Sequence, residues 1–353
     1  LCYLSTPAAH VPLFVPSHYR ERYEQAELPG IDPGKREEVA RFFGMIANVD
    51  ENMARLETFL REAGLRDNTL LVFMTDNGGT AGVRLFNAGM KGGKFSFTEG
   101  GHRVPCFIRW PNGRLLDPVD IDELTEMQDI LPTALDLCGL KPPSRARFDG
   151  ISLAPRLRGE IARLPDRTLV VNYVNVMKPT PRKESSAVLW RKWRLVQNRA
   201  LHDLTADPGQ TVNVADRFPE IAARLRAHLD SWWAGVEPNL NDLGAVIIGS
   251  DAEPLTQLGP QDRLDSLLDQ SAHVRSGLAE NGPCHLEVAR AGDYEFELRR
   301  WPREADAAIT AGLPEFRHAD GVFPAGVALP IAQACMKARC VAVTSATPLP
   351  AMS

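Results

Sequence analysis

Leu71-Val72-Phe73-Met74-Thr75-Asp76-Asn77-Gly78-Gly79 is the stretch that decides how this chain is read. With Leu70 its apolar part runs five residues without alternation, the pattern of a strand buried on both faces, as in a parallel sheet. The run stops in polar residues and glycines, so a carboxylate and an amide stand at the carboxyl end of a central strand. Open α/β sheets place their ligands at that end. Upstream, Val39, Phe42, Ile46, Val49, Met53, Leu56, Leu60 and Ala63 step by three and four, which predicts one amphipathic helix from Arg36 to Ala63, stopped by Gly64. Downstream, a glycine-rich loop to Phe97 leads through Thr98-Glu99-Gly100-Gly101-His102-Arg103-Val104-Pro105 into a second apolar strand, Cys106 to Trp110. The expected class is α/β, a mostly parallel sheet flanked by helices.

Working outward, Cys2 to Ser5 reads as a short strand entering a proline-rich loop. Asp129 starts a helix that Gly139 ends, and Thr168 to Val176 reads as a strand. A strand pair over Ala187 to Leu204 and a helix over Pro219 to Trp233, with Ile221, Leu225, Leu229 and Trp232 on one face, make a smaller α+β unit. Beyond about residue 240, His285–Ala289 and Tyr294–Leu298 read as alternating strands joined at Ala291-Gly292-Asp293, so a β-rich tail is expected.

Composition bounds the function. The chain has 353 residues, 44% hydrophobic and 24% charged, enough for a large core and unlike a disordered segment. Its 27 Gly and 27 Pro follow no G-X-Y period. Lys and Arg number 40 against 45 Asp and Glu, and no basic stripe appears, which argues against nucleic acid as a partner. No apolar run reaches the roughly 18 residues of a membrane span. The chain opens Leu1-Cys2-Tyr3 with neither an initiator Met nor a leader, which leads us to expect further sequence upstream. Its six cysteines, at 2, 106, 138, 284, 335 and 340, form no CxxC and are expected to be buried thiols, with a Cys335–Cys340 bridge left open.

Three features carry chemistry. Asp76 and Asn77, side by side, offer the oxygen donors that suit a hard cation such as Ca²⁺ or Mg²⁺, although Asp-Asn-Gly-Gly is equally the composition of a plain turn. Lys91 and Lys94 lie among glycines, a means of presenting an ammonium to a phosphate or sulfate oxygen that a solvated lysine imitates. His10, in Ala8-Ala9-His10-Val11-Pro12, suits a general acid or an anion ligand, and a structural loop histidine as well.

In this order and spacing, Leu71 to Gly78, then Lys94-Phe95-Ser96-Phe97-Thr98-Glu99-Gly100-Gly101-His102-Arg103-Val104-Pro105, then Arg109-Trp110-Pro111, resemble the second half of the type I sulfatases, the arylsulfatase family of the alkaline phosphatase superfamily. Asn48 to Asn52, Asp129 to Leu135 with Asp149-Gly150-Ile151-Ser152-Leu153, and His202 to Pro208 with Asn213 agree with that pattern. The resemblance implies an alkaline-phosphatase-like α/β fold, with residues 1–160 as the C-terminal portion of a catalytic domain, 161–240 as a smaller α+β subdomain and 241–353 as a β-rich extension. It implies that Asp76 and Asn77 are calcium ligands and that Lys94 and His10 contact the sulfate. Lys94 is preferred to Lys91 because it stands five residues before Glu99-Gly100-Gly101. Glu99, Gly100, Gly101 and Arg103 are read as structural.

The departure from the family is as informative as the match. Sulfatases oxidise the Cys of a C-x-P/A-x-R motif to formylglycine, and none of the six cysteines here stands in such a motif; Cys335-Met336-Lys337-Ala338-Arg339 has Lys at the third place. The nucleophile and a further pair of metal-binding aspartates are therefore expected in a missing N-terminal part, and the chain alone is expected to be inactive. The implied substrate is a small-molecule or glycan sulfate monoester. Two alternatives stand beside it: a phosphate or phosphonate monoester hydrolase of the same superfamily, and a non-catalytic glycan-binding module.

Overall fold

A computed structural model describes the chain except residues 175–180, 241–243, 265–267, 269, 319, 334, 335, 338 and 340–353. It divides into two units, residues 1–244 with 319–321, and residues 245–318 with 322–353.

In the first unit, α1 (Ser17–Glu24) lies on α2 (Arg36–Glu62), the long helix that the apolar periodicity predicts. Glu37 and Glu38 stand in its first turn, where the helix dipole favours negative charge, and Gly64 follows its C-cap at φ +68°. Gly44 is where α1 crosses: a methyl there would stand 3.2 Å from the Arg20 Cα. The buried side of α2 includes Val39, Ala40, Met45 and Leu60, while Ile46 of the predicted stripe is exposed.

β1 (Leu71–Met74) forms where expected, but its partner is β2 (Cys106–Arg109) and the pairing is antiparallel, Leu71 opposite Arg109 and Met74 opposite Cys106. Its four residues are half-buried rather than enclosed, and Phe107 of β2 is exposed. An unbroken apolar run signals burial potential and says nothing about strand direction. Glu57 of α2 ties this pair to the helix by accepting from Arg109 at 3.0 Å and pairing with Arg66. Cys2 to Ser5 form no strand and are exposed, because no neighbouring backbone among the described residues offers them a ladder. Cys2, Cys106 and Cys138 are exposed and Cys284 is half-buried, so the expectation of buried thiols does not hold; Cys335 and Cys340 lie outside the described residues.

After α3 (Glu99–His102), the chain makes α4 (Ile130–Leu137), ended by Gly139 at φ +68°, and α5 (Ala154–Leu157). The Asp129 and Gly150 motifs meet here. Asp129, fully buried, accepts the backbone N–H groups of Glu126 and Ile151, each at 2.9 Å, and the two-pronged guanidinium of Arg167. Gly150 lets the chain pass so close that a methyl would sit 2.2 Å from the Gln128 carbonyl oxygen. Burial raises the pKa of Asp129, but the hydrogen bonds from Arg167, Ile151 and Glu126 outweigh it and hold the carboxyl below its usual value. A depressed carboxylate contributes stability that is present above its unfolded pKa and lost as pH falls through the folded one. Wild-type stability should therefore decline below about pH 4, and Asp129→Asn should flatten that decline while lowering stability at neutral pH. Denaturant unfolding from pH 3 to 7 measures this; parallel curves for the two proteins would refute it.

The strongest core of the unit is a four-stranded antiparallel sheet in chain order, β3 (Thr168–Asn172), β4 (Ser186–Trp190), β5 (Trp193–Val196) and β6 (Ala200–Asp203). In place of the strand pair expected over 187–204 there are three strands, because Arg191-Lys192 and Gln197 to Arg199 make two tight turns. The expected strand over Thr168 to Val176 ends at Asn172, and Asn175 and Val176 lie outside the described residues. Strand alternation splits the buried residues between two faces. Val188, Trp190, Trp193, Leu195 and Leu201 meet Leu225 and Leu229 of α6 (Pro219–Val236), and Leu169, Ala187 and Leu189 meet Phe97 and Leu124. Leu195, Leu201, Leu225 and Leu229 have no exposed surface, each contributing about 1.5–3 kcal/mol by burial.

The second unit is sparser. β7 (Val246–Ile248) pairs in parallel with β8 (Leu286–Val288), α7 (Ser271–Ser276) lies between them in sequence, and β9 (Phe316–His318) pairs with β10 (Gly321–Phe323). The predicted hairpin fails: 294–298 is not a strand, and β8 finds its partner some forty residues upstream instead of across Ala291-Gly292-Asp293. Alternation marks a half-buried strand without naming its partner.

Candidate active site

The polar corner after β1 is built by close backbone approach. The N–H of Gly78 donates to the Gly101 carbonyl at 3.0 Å, and the N–H of Lys94 donates to the Gly79 carbonyl at 2.9 Å. A methyl on Gly78 would overlap the Gly100 oxygen at 1.8 Å, and one on Gly101 would meet the Ser96 oxygen at 2.1 Å. Glycine is needed at 78, 100 and 101 for proximity, not for a left-handed conformation. Gly92, at φ +81°, does require one. Two bonds onto the Lys91 carbonyl, from the N–H of Gly100 at 2.9 Å and the hydroxyl of Thr98 at 2.7 Å, close the loop on itself.

These bonds bring Asp76, Asn77 and the backbone of Lys94 into one corner. Asp76 is exposed, and the Asn77 amide donates to its carboxylate at 2.5 Å. Lys94 is half-buried with its Nζ 5.3 Å from the centre of the Phe95 ring. His10 sits on an exposed turn, its N–H on the Pro7 carbonyl at 2.8 Å and its ring Nδ1 2.9 Å from the Val11 oxygen. No hydrogen bond among the described residues joins His10 to the corner. Lys91 is a strut: its Nζ donates to the Gln210 carbonyl at 3.0 Å.

Glu99 is the buried anchor of the loop, 2% exposed, and accepts from the Nε of Arg194 on β5 at 2.6 Å. Its own N–H donates to the side-chain oxygen of Gln210 at 2.7 Å, and Arg103 approaches its second oxygen at 3.7 Å. The neighbouring His102 is held below its usual pKa, chiefly by burial, and so is neutral at pH 7. The sequence motif includes Glu99 and Arg103 but does not point to Arg194 or Gln210. The signal for Arg194 is a charged residue inside the apolar strand Trp193-Arg194-Leu195-Val196, since such a residue is rarely buried unless paired.

The donor set at the corner, one carboxylate and one amide oxygen, has the chemistry of a hard-cation site. It offers two oxygen donors. No group of three or more His, Cys, Asp or Glu is poised for a metal among the described residues, so a complete coordination shell requires donors beyond these.

Comparison with known proteins bears on the fold and on the family that the chain resembles. Two solved structures share the fold at a TM-score of 0.51 and 24% identity. One is Ps i-CgsB in complex with k-i-k-neocarrahexaose, covering 64% of this chain and 48% of that one. The other comes from work on glycosaminoglycan metabolism in Bacteroides thetaiotaomicron and covers the same shares. The fold is thus the alkaline-phosphatase-like α/β type. The family model for sulfatases matches residues 1–140, and over that stretch the chain is similar to type I sulfatases of the alkaline phosphatase superfamily. Among relatives, mouse steryl-sulfatase is 30% identical over 223 residues, 53% of this chain and 35% of that protein. Human N-acetylgalactosamine-6-sulfatase is 26% identical over 215 residues, 60% of this chain and 38% of that protein. The chain spans little more than a third of the length of these curated relatives.

Proposed function

We propose that the whole protein hydrolyses a sulfate monoester, and that this chain supplies part of its site. The observation that carries the reading is the clamped corner, in which backbone bonds fix Asp76 and Asn77 beside Lys94. Asp76 and Asn77 would hold calcium, or magnesium, with their side-chain oxygens; when bound, the cation polarises the sulfate and draws charge from sulfur. Lys94 presents an ammonium to the sulfate, and His10, from its separate turn, supplies a second contact and a proton for the leaving oxygen. Negative charge builds on the bridging oxygen as the S–O bond breaks, so a cation and a proton donor aimed there act most strongly in the transition state. The nucleophile, a formylglycine hydrate, comes from sequence outside these residues. Names among the relatives that specify sulfated substrates support sulfate over phosphate.

The test uses the protein joined to its nucleophile segment. Bound calcium, counted by inductively coupled plasma mass spectrometry, should be about one ion per site and should be lost in Asp76→Ala. An aryl sulfate should be cleaved faster than the matching phosphate and phosphonate esters. Zinc at the corner, calcium retained in Asp76→Ala, or a preference for the phosphorus esters would each overturn the reading.

A further inference from the structure

We infer that Phe95 and Tyr173 form an aromatic platform beside Lys94 that receives the apolar face of a ring carried by the alcohol of the sulfate ester. This rests on the reading of Lys94 as a sulfate contact, and adds to it the class of alcohol selected.

Phe95 breaks two local rules together. Its φ is +73°, a conformation uncommon for any residue except glycine and a marked outlier for a bulky one. Strain of this kind normally accompanies a gain in packing, yet Phe95 remains 63% exposed. Such an outlier is a reason to look for a role in binding. The conformation leaves the ring in solvent next to the Lys94 ammonium, with Nζ 5.3 Å from the ring centre.

The ring is supported from below. Tyr173 continues the line of β3, its N–H donating to the Ser185 carbonyl at 2.9 Å, so the sheet sets its position. Its ring centre lies 5.7 Å from that of Phe95 and 6.1 Å from that of Phe97, the latter edge-on. Phe97 in turn beds against the Leu169, Ala187 and Leu189 cluster of the sheet. The three rings therefore rise from a rigid core to an exposed face beside a cation. A molecule that meets both carries a negative head and a ring, with the two joined by a short bond. A sulfate ester of a ring alcohol has that form, with its charge toward Lys94 and its ring on Phe95 and Tyr173. Offset or edge-on aromatic contact favours ligands with a π or C–H face over small alkyl ones.

Sulfonates test this without turnover, because their C–S bond is not hydrolysed. Affinities of the 353-residue chain for 2-naphthalenesulfonate, methyl 6-deoxy-6-sulfoglucoside and methanesulfonate are measured by ligand-observed NMR, with circular dichroism to confirm that each variant folds. At least one ring sulfonate should bind about 3- to 10-fold more tightly than methanesulfonate, and which one does so tells an aryl from a pyranose alcohol. Phe95→Ala and Tyr173→Ala should bring that ratio close to one, whereas Tyr173→Phe, which keeps the ring, should preserve it. A ratio near one in the unaltered chain, or a ratio that survives both Ala variants, overturns the platform. Lys94→Ala should weaken all three ligands alike. If it leaves methanesulfonate unaffected while the ring preference still depends on Phe95, the sulfate role of Lys94 fails and the platform stands.

Discussion

Lys94→Ala, in the protein carrying its nucleophile segment, is expected to lower kcat roughly 10²- to 10³-fold, the usual loss when one preorganised donor to a developing anion is removed. Calcium content should persist, because the bond that clamps residue 94 to Gly79 comes from its backbone N–H and does not depend on the side chain. His10→Ala should fall by a comparable factor, and a pair of substrates separates its two roles. If His10 protonates the leaving oxygen, the variant loses more on an unactivated aryl sulfate than on an activated one, since a good leaving group needs little protonation. Equal losses would make it a sulfate ligand. Lys91→Ala should lower kcat far less, because its ammonium is engaged with the Gln210 carbonyl. A larger loss from Lys91→Ala than from Lys94→Ala would show that the wrong lysine has been assigned to the sulfate.

The second large effect is on stability. Glu99 and Arg194 are 2% and 5% exposed and pair at 2.6 Å. Removing one member of a buried pair leaves the other charged, desolvated and unpartnered, at a cost of about 3–5 kcal/mol. Glu99→Ala and Arg194→Ala should each lose about that much, read from denaturant unfolding. The double variant Glu99→Leu/Arg194→Met should recover most of it, because the desolvation of both charges disappears with the charges. The damage in the single variants should reach the corner, since Gly100 and Gly101, next to Glu99, are the residues against which Gly78 packs. Single variants within about 1 kcal/mol of the unaltered chain, the size of an exposed pair, would show that the ion pair does not anchor the loop.

Much of the first unit is legible in the amino-acid sequence. The run Val39 to Ala63 foretells α2 nearly to the residue, Gly64 and Gly139 foretell two helix ends, and the spacing of Ile221, Leu225 and Leu229 foretells α6. Each of these is local: a helix satisfies its hydrogen bonds within itself, so periodicity and caps suffice to find it. The order and spacing of Asp76-Asn77-Gly78, Lys94 and Glu99-Gly100-Gly101 likewise mark the corner, because closely approaching backbone demands glycine wherever a Cβ would collide. What tertiary structure decides is whatever depends on a distant partner. The direction of β1 against β2, the pairing of β8 with β7 in place of a hairpin, the exposure of Cys106, the engagement of Glu99 with Arg194 and the support of Phe95 by Tyr173 all depend on residues far apart in the chain. A strand's ladder, a buried charge and an exposed ring are each completed by groups that another segment brings to them, and a sequence pattern records the need for such a partner without recording which segment meets it.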